Sequence, residues 1–95
     1  MDEQRLKIME KLLSTRRTAR NLLGDDYDEH QEPIRKVIRE YVAGRGVSVV
    51  RAITDITTTA DYRHMTTTAE GILRMKIVAA GCDVMMEEET TNAPT

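Results

Sequence analysis

The sequence predicts an all-α domain, a small bundle of about four helices that associates with copies of itself. Apolar residues recur at helical spacing in four segments, and glycine, proline and N-cap residues separate these segments. The chain also has no Phe and no Trp, the side chains that usually dominate a core. A core made of aliphatic residues and methionine is small, so we expect self-association to supply part of the stability.

Length and composition limit the chain to one domain. Its 95 residues suffice for one domain and are too few for two. Leu, Ile and Val make up 20 of these 95 residues, slightly above the fraction of about 20% below which disorder is expected. The net charge of −2 does not favour a self-repelling disordered chain. We therefore expect one folded domain over residues 1–86 and a disordered acidic tail over residues 87–95.

The first segment, residues 2–23, is predicted to be one long helix. Acidic residues at its start and arginines near its end suit the helix dipole. Gly24 is predicted to end it. The apolar residues that form its predicted buried stripe are Ile8, Leu12, Ala19 and Leu22, with Met9, Leu13 and Leu23 beside them.

An acidic, polar connector is predicted over residues 25–31, and a second helix is predicted to begin at Pro33. Gly44 and Gly46 are predicted to end this helix. It has the clearest amphipathic pattern of the chain, carried by Ile34, Val37, Ile38, Tyr41 and Val42.

Residues 48–57 are ambiguous. Their valines and isoleucines favour a strand by propensity, whereas the spacing of Val49, Ile53 and Ile56 favours a helix. Ser48 is a suitable N-cap for that helix. We predict a helix here, with a strand as the alternative.

The last helix is predicted over residues 68–86. Two capping boxes, Thr58 with Asp61 and Thr67 with Glu70, place a hydroxyl three residues before a carboxylate, and the second is predicted to open the helix. The apolar residues expected to face the core are Ile72, Leu73, Ile77, Ala80 and Val84.

The sequence offers little for catalysis or metal binding. It has no nucleophile elbow, phosphate-binding glycine loop, zinc-hydrolase helix or dinucleotide fingerprint. Cys82 has no base near it in sequence, so we interpret it as a small core residue. The acidic connector lacks the glycine and the glutamate of a calcium loop, so we interpret it as a solvated loop. We expect neither an enzyme nor a metal protein, and no cofactor.

The single cysteine, the polar N-terminal residues and the lack of an apolar run of about 18 residues predict a cytoplasmic protein that does not contact a membrane.

Arginine is unusually frequent among the basic residues, 10 of 14. Its planar guanidinium suits phosphate and carboxylate better than a lysine does. Arg16, Arg17 and Arg20, with Tyr27 to stack on a base, could form an anion pocket for a nucleotide-like ligand. The alternative interpretation is a solvated helix face with local ion pairs.

The segment from Tyr41 to Ile53 faintly resembles a helix-turn-helix, in which a second helix enters the DNA major groove. Arg45, Ser48 and Arg51 would then contact DNA. The spacing is one residue short, and the isoelectric point near 5.7 does not favour a general nucleic-acid binder. The alternative is an ordinary helical corner.

Taken together, these patterns predict a small, non-catalytic regulatory or adaptor protein. We expect it to act as a homo-oligomer that binds an unidentified protein. Binding of a phosphate-bearing ligand and binding of DNA are the two alternatives.

Overall fold

The computed structural model describes the backbone of residues 2–58 and 68–92 and the side chains of residues 3–58 and 71–87. Over these ranges the chain forms only helices, which confirms the all-α prediction and makes residues 49–57 helical. The α-helices are α1 (Asp2–Leu23), α2 (Tyr27–Arg45), α3 (Val49–Thr57) and α4 (Thr68–Asn92), and a 3-10 helix over Gly24–Asp26 joins α1 to α2.

Helix α4 is the centre of the bundle, and the other three helices pack against it. All residues from Ile77 to Val84 except Asp83 are buried. A helix that is surrounded on several sides is apolar around most of its circumference instead of along one stripe. The small residues from Ala79 to Cys82 let the neighbouring helices approach closely.

The core lies where α2, α3 and α4 meet. Aliphatic residues fill it, as the composition predicts, and each contributes about 1.5–3 kcal/mol when fully buried. Cys82 is 1% exposed, which confirms its interpretation as a small core residue. The buried members of the main cluster are Ile38, Val49, Ala52, Ile53, Ile77, Val78, Ala80 and Val84.

The predicted connector over residues 25–31 is wrong, because α2 begins at Tyr27. Asp28 and Glu29 in its first turn interact favourably with the positive end of the helix dipole. Pro33 therefore lies inside the helix and not in its first turn. The missing N–H of Pro33 removes a bond to the Glu29 carbonyl, a cost that the buried side chains of this part of α2 offset.

Gly24 and Gly46 end α1 and α2 as predicted, whereas Gly44 does not end α2. Gly24 and Gly46 have φ values of 61° and 64°, in the left-handed region that glycine adopts without strain. The Gly46 N–H donates to the Val42 carbonyl at 2.8 Å, which satisfies an orphan carbonyl of the last turn. Gly44 lies inside α2, so its prediction as an end is wrong.

The predicted apolar stripes are wider than the buried faces. Ile8, Leu13 and Leu22 on α1, and Val37 on α2, are exposed. Helix α1 packs mainly on α4, so only a narrow face that includes Leu12 and Ala19 is covered.

Helix α4 runs to Asn92, so it covers part of the predicted tail, residues 87–95. Both predicted capping boxes include residues that lie outside the described side chains. The Ser48 cap is confirmed, because its Oγ accepts a hydrogen bond from the Arg51 N–H at 3.1 Å.

We expect Gly81→Ala to destabilise the fold. A Cβ at Gly81 would collide with Cδ1 of Ile53 and lie 2.6 Å from its Cγ1, and overpacking of this kind costs about 1–3 kcal/mol. Urea denaturation measures the change.

Gly44→Ala is the matched control. It is also a helical glycine, and a Cβ there would meet nothing within 4 Å. This variant should gain about 0.5–1 kcal/mol from helix propensity. Equal effects of the two substitutions would contradict close packing at Gly81.

Candidate functional site

The carboxylate of Asp83 on α4 joins three helices through side-chain hydrogen bonds. Arg16 on α1 donates from Nε to Oδ1 at 2.6 Å. From α2, the Tyr27 hydroxyl and Arg35 Nη1 both donate to Oδ2 at 2.8 Å. Both carboxylate oxygens are thus occupied, which makes Asp83 a structural contact and not a free acid or base.

Burial and charge shift the titration of the groups around Asp83. Burial, and then the hydrogen bond to Asp83, raise the pKa of Tyr27 to about 12. Burial lowers the pKa of Arg35, but the carboxylates of Asp83 and Glu32 outweigh it and raise that pKa overall. These groups therefore keep their charges and donors at neutral pH.

The buried face of α2 continues this polar contact. Gln31 is fully buried and donates from Nε2 to the Lys76 carbonyl at 2.8 Å, while its Oε1 has no partner among the described residues. Arg35 also donates to the Asp28 carbonyl and to Glu32, at 3.0 and 3.1 Å. The Arg35 guanidinium group therefore makes its hydrogen bonds within the bundle.

The four residues predicted to hold an anion lie close together, but three of them have intramolecular partners. Arg16 and Tyr27 bind Asp83. The Arg20 guanidinium carbon lies 5.4 Å from the centre of the Tyr27 ring. Arg17 makes no hydrogen bond or ion pair within the part of the chain that is described. A shallow depression is lined by Leu13, Arg16, Arg17, Arg20 and Asn21.

The residues predicted to contact DNA lie around the short connection between α2 and α3, and each has a local partner. Ser48 caps α3. Arg51 donates to Asp55 on the same helix at 3.0 Å. The Arg45 guanidinium lies 4.7 Å from the centre of the Tyr41 ring. The carboxylate beside Arg51 would repel a phosphate, so this arrangement does not favour DNA binding.

The acidic stretch over residues 25–32, which includes the predicted solvated loop, is helical. Glu32 pairs with Arg35 and Arg39 there, and these arginines lower the pKa of Glu32. Among the residues described, no three His, Cys, Asp or Glu side chains converge as a metal site. Burial raises the pKa of the Cys82 thiol to about 11, so it is a poor nucleophile at neutral pH.

A groove with a cavity of about 720 Å³ runs between α1 and α3, and α4 forms its floor. Leu12, Ile53 and Val78 give it an apolar base, and Ile8 and Val50 stand at its edges. Ile8 and Val50 are 47% and 40% exposed. The remaining described residues that line it are Lys11, Thr15, Thr18, Thr54, Thr57, Thr58, Gly71, Arg74 and Met75.

All five threonines of the groove use their hydroxyl protons within their own helices. Each donates to a backbone carbonyl one turn earlier, at 2.8 to 3.1 Å; Thr15, for example, donates to Lys11. Such back-bonding removes the donor from the surface. The groove therefore offers methyl groups and hydroxyl oxygens, and its threonines have no free donor for a ligand.

Sequence reasoning missed Asp83, the burial of Tyr27, Gln31 and Arg35 on α2, and the groove. A signal for the first two exists: Tyr27, Gln31, Arg35 and Ile38 follow helical spacing, and Asp83 is a lone carboxylate in an apolar run. The groove has no such signal, because its lining comes from three helices and depends on how they are arranged.

Comparisons with protein-family models, with curated protein sequences and with solved structures find no match for this chain. No helix in the described part is both long and apolar enough to span a bilayer.

We expect Asp83→Asn to cost about 3 kcal/mol of unfolding free energy, because the partly buried Arg16 would lose its counter-charge and the buried Arg35 would keep only the exposed carboxylates of Glu32 and Asp28. Chemical denaturation gives the value. Asp25→Asn, at an exposed position of the 3-10 helix, should stay within about 0.5 kcal/mol. A loss below about 1 kcal/mol for Asp83→Asn would contradict the role of this carboxylate.

We also expect the free energy of unfolding to fall between pH 10 and 12. The unfolded chain releases the Tyr27 proton near its ordinary pKa of 10.0, whereas the folded protein holds it to about 12. The contribution is complete below pH 10 and is lost as the pH rises, by up to about 1.4 kcal/mol per pH unit.

The variant Tyr27→Phe isolates this effect, since Cys82 adds a fall of the same sign between pH 9.0 and about 11 in both proteins. Denaturation curves across the window should show a shallower decline for the variant. Identical slopes would refute the assignment to Tyr27.

Proposed function

We propose that this protein is a non-catalytic adaptor that binds a partner protein by accepting an apolar helix in the groove between α1 and α3. One observation carries the proposal: two helices pack on α4 and leave an apolar groove between them, with aliphatic side chains exposed at both edges. A groove of this kind suits an amphipathic helix, which places residues at i, i+3, i+4 and i+7 along it.

The energetics agree with a binding role. Covering Ile8 and Val50 removes apolar area from water, and each contributes on the order of 1 kcal/mol when it goes from half-exposed to buried. The apolar floor adds further contact area. These two side chains alone fall short of the cost of association, about 4 kcal/mol or more, so the floor and the walls of the groove must supply the rest of the binding free energy.

Self-association remains a second use of exposed apolar surface. Leu6 and Leu13 lie one heptad apart on α1 and are both exposed, but neither lines the groove. A homo-oligomer built on these leucines would leave the groove open for a partner, so the two proposals are compatible.

A phosphate-bearing ligand is a weaker candidate. The observation that favours it is the depression lined by arginines on α1. Only Arg17 is uncommitted there, since Arg16 pairs with Asp83 and Arg20 stacks on Tyr27. Calorimetry with nucleotides, using Arg17→Ala as the comparison, tests this candidate; no heat with any nucleotide would eliminate it.

The groove is tested by selecting, from a displayed library of helical peptides, those that bind the natural chain, and then measuring their affinity for the double variant Ile8→Asp, Val50→Asp. We expect the retained peptides to carry apolar residues at helical spacing and to lose at least tenfold in affinity for the variant, because each aspartate places a charge where the peptide buries apolar surface.

Leu6→Asp and Val37→Asp are the matched controls. Both replace exposed aliphatic residues outside the groove, so they should bind the selected peptides as the natural chain does. The proposed site would be refuted if the selected peptides bound the Ile8→Asp, Val50→Asp variant as tightly as the natural chain, or if they lost affinity only for the controls.

A further inference from the structure

We propose that the partner helix carries a carboxylate near each end of its apolar face, and that Lys11 and Arg74 bind these carboxylates. This inference rests on the proposed function of the groove. It names the charge pattern of the helix that the groove selects.

Lys11 on α1 and Arg74 on α4 are the charged side chains among the described residues that line the groove. Neither ammonium nor guanidinium group makes an ion pair or hydrogen bond within the described part, and no carboxylate there lines the groove. By contrast, Arg16, Arg35, Arg39 and Arg51 all pair with acidic residues elsewhere on the molecule. Among the described residues, the groove therefore carries two positive charges and no negative charge, on a chain with a net charge of −2.

The five threonines of the groove add to its preference for anionic groups at Lys11 and Arg74. Their hydroxyl protons are held by backbone carbonyls of α1 and α3. An anionic group on a partner therefore finds its donors at Lys11 and Arg74 and not at the threonines. A cationic group would meet two like charges, and no carboxylate among the described lining residues, which disfavours basic partners.

The two cations lie toward opposite ends of the groove. Arg16 binds Asp83, and Ala19 packs in one cluster with Ala79, so α1 and α4 run antiparallel. Lys11 precedes Arg16 by five residues and Arg74 precedes Asp83 by nine, on opposite sides of that contact. At about 1.5 Å per residue, this places them about 20 Å apart along the helices.

A single partner helix can span this distance. About 20 Å corresponds to roughly 14 residues, or nearly four turns, a spacing that keeps both positions on one side of the helix. Carboxylates separated by about that number of residues, on either side of an apolar stripe, would reach both cations at once. A shorter helix, or one with a single carboxylate, would satisfy only one of them.

The test uses three designed helical peptides of one apolar pattern that differ at two positions about 14 residues apart. These positions hold glutamate, glutamine or lysine. Fluorescence anisotropy with the full chain should show the glutamate peptide binding about 3- to 10-fold tighter than the glutamine peptide, and the lysine peptide weakest, because each exposed ion pair changes affinity only a few-fold. The preference should shrink as salt is added.

Charge reversal supplies the decisive comparison. Lys11→Glu with Arg74→Glu should reverse the order of the peptides, and Lys36→Glu, an exposed position on α2 outside the groove, should leave it unchanged. Circular dichroism checks that each variant keeps its helical content.

The experiment separates failure of the proposed charge pattern from failure of the proposed function. If all three peptides bind equally and Ile8→Asp weakens all of them, the charge pattern is wrong and the groove remains a helix site. If none binds, the proposed function fails and this inference fails with it. If light scattering shows that a peptide binds only by displacing a second copy of the chain, the natural occupant is that copy and the inference is overturned.

Discussion

The arrangement of the helices depends on one carboxylate. Asp83 accepts hydrogen bonds from side chains of α1 and α2 while it is itself part of the central helix. A chain without Phe or Trp gains little orientation from large interlocking rings. A charged contact has strict distance and direction requirements, so it can fix the rotation of α1 and α2 about α4 where small aliphatic side chains would tolerate several positions.

The groove is a consequence of how the remaining contacts are distributed. Gly81 lets Ile53 of α3 approach the backbone of α4 on one side, and Arg16 holds α1 on another. Each flanking helix is thus tied to α4 and not to its counterpart. The space between them is lined by aliphatic side chains, by threonine methyl groups and by Lys11 and Arg74, which have no acidic partner within the described part of the chain.

Helical periodicity predicts the four helices, the Ser48 cap and the burial of Cys82. It does not predict the early start of α2, because the buried face of its first turns is Tyr27, Gln31 and Arg35, which read as surface residues. Periodicity overestimates the buried part of α1, because the sequence of one helix does not show how many other helices pack against it. Of the proposed anion residues, Arg16 and Tyr27 do meet, but Asp83 brings them together, and this contact across the sequence leaves no local pattern.

The burial of Cys82 has a practical consequence. Its thiol is 1% exposed and lies on the helix that all the others contact. A thiol reagent cannot reach it unless the helices around α4 separate, so the rate of labelling measures how often the bundle opens. The chain therefore contains a natural probe of its own opening motions, and any ligand that holds the helices together would slow the labelling without touching the cysteine.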